Sequence, residues 1–177
     1  MITKRLLLVV TALLVLVAGS CADNGIDDGS SANVVLEVDT VTLAVVTSTY
    51  DPLNGVCVFQ ITDSTATLSN IPKSEGAVTE PFNDILIDQL IISYVWDDGL
   101  PMPNYVTSPR VVIPANSSNQ VRFLPVPLAE FLSAVPSREG HSAELTLLFQ
   151  GEVADGSRVQ AVGGGALFVN SCIATGP

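Results

Sequence analysis

The chain has 177 residues, 47% of them hydrophobic, and a formal net charge of −11. That length supplies one domain with a real core. The excess of 18 acidic over 7 basic side chains repels phosphate backbones, which excludes nucleic acid as a partner, and it repels anionic headgroups, which excludes adhesion to a bilayer by charge.

Residues 1–21 read MITKRLLLVVTALLVLVAGSC. Lys4 and Arg5 form a basic head. An apolar run extends from Leu6 to Ala18, broken only by Thr11, and Gly19-Ser20 leads to Cys21. Basic, apolar, then small is the layout of an export signal. A spanning helix needs about 17–25 apolar residues, so the run is short for one. The ending V-A-G-S-C resembles the lipobox of bacterial lipoproteins. In that family the Cys is diacylated, the leader is cut just before it, and the new N-terminus is acylated. The resemblance implies that residues 1–20 are a signal peptide and that Cys21 is the lipidation site. The membrane is then a partner through acyl chains, two or more of which anchor stably. Ala22, not Asp, follows Cys21, which in a Gram-negative envelope implies the outer membrane. Ordinary cleavage near Val17-Ala18-Gly19 and an uncleaved anchor are the other readings.

The cysteines are Cys21, Cys57 and Cys172. Lipidation of Cys21 leaves an even pair, and export puts that pair where disulfides persist. A Cys57–Cys172 bridge closes a loop on the order of a hundred residues, worth roughly 4–5 kcal/mol in the chain-entropy picture. Two separate buried thiols are the alternative. No short C-x-x-C spacing exists, so no metal is expected on these cysteines, and no cofactor is expected anywhere.

Residues 21–33 are the lipidated Cys and a flexible acidic tether, ADNGIDDGSSAN after Cys21. The tether has too little apolar surface to fold and spans on the order of 20 Å. The folded domain is 34–177, and its texture is β. Val34 to Ser48 reads as one long strand or two short ones, with a parity slip near Asp39-Thr40 that predicts a bulge. DPLNG (51–55) is a turn. Cys57, Phe59 and Ile61 alternate on a half-buried strand. Ala66, Leu68 and Ile71 form another, stopped by Pro72, and 72–83 is a loop. Ile85 to Trp96 is the longest apolar strand, with Leu86, Leu90, Ile92, Tyr94 and Trp96 on one face and Asp88 the exception. Tyr105–Ile113 and Gln120–Val126 are strands around PANSSN (114–119). Leu128, Phe131, Leu132 and Val135 predict a short helix over 127–135. Ala143 to Val153 and Val159 to Val169 form a hairpin turned at Asp155-Gly156. Gly163-Gly164-Gly165 within it predicts a bulge or close backbone approach. Eight or nine strands, one short helix and no βαβ rhythm predict an antiparallel β-sandwich. Spacing and length over roughly 34–172 resemble immunoglobulin-like or fibronectin type III-like modules.

Hydrolysis needs a nucleophile activated by a base. The lone histidine, His141, lies in the polar loop SREGHS (137–142), and no G-x-S-x-G surrounds any serine. A calcium loop starting at Asp23 would need Glu at its twelfth position, which holds Val34. Asp97-Asp98-Gly99 is expected as a turn for backbone reasons. Asn116-Ser117-Ser118 reads as a turn, and Trp96, Met102 and Tyr105 read as caps over the sandwich end. No catalytic residue is expected. The expectation is a non-catalytic, membrane-anchored binding or scaffolding module with an unknown protein or envelope partner. A calcium- or ligand-binding adhesion module and a hydrolase with an unrecognised site are the alternatives.

Overall fold

The computed structural model describes residues 32–51, 53–73, 81–127 and 138–172. Its strands are β1 (Val34–Thr42), β2 (Thr47–Asp51), β3 (Val56–Gln60), β4 (Ser64–Pro72), β5 (Ile85–Trp96), β6 (Tyr105–Thr107), β7 (Val111–Ile113), β8 (Ser117–Phe123), β9 (Ser142–Val153) and β10 (Arg158–Phe168). A 3-10 turn, Pro81–Asn83, leads into β5. The leader, Cys21 and the acidic stretch of the tether lie outside the described residues, as does nearly all of the helix expected over 127–135.

Among the described residues ten strands stand where eight or nine were expected, because the run 105–113 is broken. Pro109 has no N–H to offer a ladder, and Arg110 turns the chain with φ of 53°. The strand expected at Gln120 begins earlier, at Ser117, because Asn116 (φ 54°) tightens the preceding turn.

Strands β1-β4-β8 form one sheet, and β10-β9-β5-β6, with β7 also on β5, form the other. The hairpin β2-β3 is separate. The ladders between these strands are antiparallel. Taken as A-B-E over G-F-C-C′, this is the order of an immunoglobulin-like sandwich with a hairpin inserted between its first two strands. The inward side chains of both sheets make one apolar core. Phe123 of the first sheet meets Phe149 of the second edge-to-face, with centroids 6.3 Å apart.

Bulges decide which residues reach that core. The β1–β4 ladder shifts between Val38 and Thr40, the slip expected at Asp39. A second shift lies between Ile87 and Gln89, at Asp88. One extra residue reverses parity, so Ile85 and Ile87 point inward and Leu86, expected inside, points out. β4 has no such shift against β8. Its alternation therefore continues inward through Asn70, 1% exposed, and leaves Ile71 outside rather than in the core. The Asn70 amide donates to Asn83 O at 2.7 Å and Ile113 O at 3.1 Å. An isoleucine there would leave both carbonyls short of a donor.

The β9–β10 register runs unbroken from Glu152–Arg158 to Ser142–Phe168, so the glycine run makes no bulge. It makes close approach instead. A Cβ on Gly163 would sit 2.9 Å from Val38 Cγ1 and 3.0 Å from Val41 Cγ2, and one on Gly165 would sit 2.8 Å from Leu43 Cδ1. Valine is stiff at χ1 and cannot swing clear. Gly163→Ala is therefore expected to cost about 1–3 kcal/mol by overpacking, read as a lower urea midpoint with an unchanged slope.

Candidate functional site

The strand registers give the sandwich two unlike ends. At one, β1 begins: Val34 pairs with Pro72, Lys73 N–H donates to Asn33 O, and Ile85 pairs with Ile113 and Val153. At the other, Trp96 pairs with Ala143 and Ser142 with Phe168. The 12 residues of β5 separate them by roughly 35 Å at about 3.3 Å per residue.

The second end carries the hairpin. Val46 N–H donates to Phe168 O and Asn170 N–H to Val46 O, both at 2.9 Å, which makes a parallel bridge to Val169. Ser48 Oγ donates to Asn170 O at 3.2 Å. Cys57 of β3 is disulfide-bonded to Cys172, with Cα atoms 6.1 Å apart and 115 residues between them. The Glu139 carboxylate accepts from Cys172 N–H. Phe59 and Ile61 pack on the core, while Val56 and Val58 face out at 51% and 44% exposure and Leu53 stands 93% exposed at the tip. At the turn, Gly55 (φ 66°) donates its N–H to Asp51 O. The Asn54 side-chain amide and then the Leu53 N–H hold the Asp51 carboxyl below its ordinary value.

The loop after β5 closes the same end. Arg138, expected in a polar loop, is only 6% exposed. Its guanidinium stacks 4.3 Å from the centroid of the Trp96 ring, bonds Asp98 at 3.4 Å, and donates to Leu100 O and Pro101 O. Trp96 lies buried beneath it, and Met102 is buried as well. No local pattern in the sequence announced this clamp, since the groups it joins lie some forty positions apart.

Asp97 Oδ1 lies 2.7 Å from His141 Nδ1, while Asp97 Oδ2 accepts from the Ser142 N–H at 2.9 Å and from Ser142 Oγ at 3.0 Å. The serine hydroxyl is thus committed to the carboxylate and not to the imidazole, which is not the geometry of an activated nucleophile. Asp98 turns away to Arg138 and the Leu100 N–H, so the two adjacent carboxylates do not converge on a shared cation position. Among the described residues no group of three or more His, Cys, Asp or Glu side chains could hold a metal ion. Asn116-Ser117 forms a turn, with Ser117 Oγ donating to Pro114 O. The structure thus brings together Cys57 and Cys172, and separately Asp97 and His141.

The Ser142 N–H, aided by His141 and the Ser142 hydroxyl, holds the Asp97 carboxyl below its ordinary value of 3.8. A carboxyl lowered by folding adds stability that is full above its unfolded value and is lost as pH falls through the folded one. Asp97→Asn is therefore expected to lower the urea midpoint at neutral pH, with the difference from wild type shrinking to nothing as pH drops well below 3.8. Replacing both Cys57 and Cys172 by Ser is expected to cost about 2–5 kcal/mol, with amide exchange rising first in the hairpin rather than in β9.

The chain matches no known family model and has no significant match among curated proteins.

Proposed function

We propose that the chain is an exported bacterial lipoprotein, held in the cell envelope by acyl chains on Cys21, whose β-sandwich binds or scaffolds a partner without catalysis. The observation that carries this reading is how the cysteines divide. Cys57 and Cys172 are bonded to each other, as suits an oxidising compartment. Cys21 is the cysteine left over, and it stands directly after the small residues that close an export signal. In a Gram-negative cell the residue after it, Ala22, favours the outer membrane.

The polarity of the sandwich supports the binding role. The tether joins at Val34, so the disulfide-tied hairpin and the Arg138 clamp would sit at the end away from the lipid. The commitment of Ser142 and His141 to one carboxylate supports the absence of catalysis.

The test is membrane partition of the full chain. Wild type is expected in the detergent-extracted membrane fraction with a mass increase on Cys21. Cys21→Ser is expected to stay uncut or to become soluble. A Cys21→Ser chain that partitions like wild type overturns the anchor.

A further inference from the structure

We propose that β3 is a strand-accepting edge, which takes an extended segment of a protein partner whose β-branched residues alternate and whose ends are basic. This rests on the reading of the domain as a binding module and names the surface that binds.

The first observation is position. The hairpin is a sheet of two strands, held beside the end of β10 by the Val46–Val169 bridge through the chain that leads into β2, and β3 is its outer strand. Among the described residues β3 pairs with β2 alone. An edge strand presents every second backbone N–H and C=O to whatever arrives.

The second is the absence of protection. Edges are normally blunted by charge, proline, a bulge, short length or a covering element. Most of the other described edges use these devices. β1 carries Glu37, Asp39 and a bulge, β8 carries Arg122, and β6 and β7 have 3 residues each. β3 reads Val56-Cys57-Val58-Phe59-Gln60. It has no charge, proline or glycine, and its register against β2 is unbroken from Gln60 to Val56.

The third is preparation. The disulfide at Cys57 and the packing of Phe59 hold the strand extended before anything binds, which lowers the ordering cost of strand addition. Val56 and Val58 then stand outward, ready for alternate side chains of an added strand.

The fourth is charge. Asp51 faces Val56 at one end of the strand, and Asp63 follows Gln60 at the other. No Lys or Arg occurs between Arg5 and Lys73. A second copy paired antiparallel about Val58 would bring Asp51 of one chain toward Asp63 of the other, like against like. A strand with basic ends meets opposite charge at both ends, so the occupant is a foreign segment and not a second copy.

The experiment titrates the purified full chain with the peptide Lys-Val-Thr-Val-Thr-Val-Lys. Its controls are the same peptide with glutamate ends and two versions N-methylated on alternate amides, one for each strand edge. Saturable binding is expected, weakened at least about tenfold by the glutamate ends or by Val58→Lys. One methylated version is expected to bind and the other not. Val58→Lys faces solvent, and its retained Cys57–Cys172 bridge and urea midpoint verify that it is folded. No saturable binding, no loss in Val58→Lys, or equal binding by both methylated peptides overturns the proposal. A concentration-dependent dimer of the chain alone that Val58→Lys abolishes also overturns it, by giving the edge to a second copy. Failure here with Cys21-dependent partition intact removes the edge and leaves the anchor. Peptide binding with partition unchanged in Cys21→Ser does the reverse.

Discussion

The close approach of β1 to the glycine run of β10 is the constraint from which the rest of this end follows. Val38, Val41 and Leu43 occupy the space that side chains on Gly163 and Gly165 would fill. The chain leaving β1 is thereby delivered beside the end of β10, where Val46 bridges Val169. That bridge seats β2, β2 seats β3, and β3 brings Cys57 within reach of Cys172. A covalent bond spanning most of the domain thus depends on two residues, Gly163 and Gly165, that have no side chain to pack.

The fold was legible in the sequence where one face was apolar and the other was not. The Asp39 bulge declared itself because apolar parity flipped across it. The Asp88 bulge did not, since Ile85, Leu86 and Ile87 are all apolar and period two cannot choose between them. Asn70 was passed over for Ile71 because the carbonyls that make its burial tolerable belong to residues 13 and 43 positions away. Arg138 was hidden for the same reason: the ring it stacks on belongs to β5, across the loop it secures. The disulfide was legible by counting, which needs no geometry. The strand edge was not, because a free edge is a property of sheet order rather than of any local pattern.

An acidic surface with few bases has to settle its carboxylates locally. Arg158 serves both Asp88 and Glu152, and Arg138 serves Asp98. Elsewhere backbone N–H groups do this work. Leu53, Leu100, Ala115, Ser142 and Ser157 each donate to an aspartate. At Asp51, Asp98 and Asp155 the amide is two residues on, and the short side chain folds back onto it in a turn as glutamate's does less readily, while Asp84 and Asp97 take amides 31 and 45 positions away. The same residues that make the chain acidic therefore fix its turns, so charge and shape are not independent here.

The two ends of the sandwich also set how the domain carries load. A pull applied between Val34 and the hairpin runs along the backbone of β1, which leads directly into the hairpin. The load is then borne by the covalent bonds of a strand that is already extended, and not by its hydrogen-bonded ladder with β4. Chain between Cys57 and Cys172 lies inside a covalent loop and adds no slack to the path. A domain built this way transmits tension from its first strand to its hairpin with little extension, because an extended strand has little length left to give.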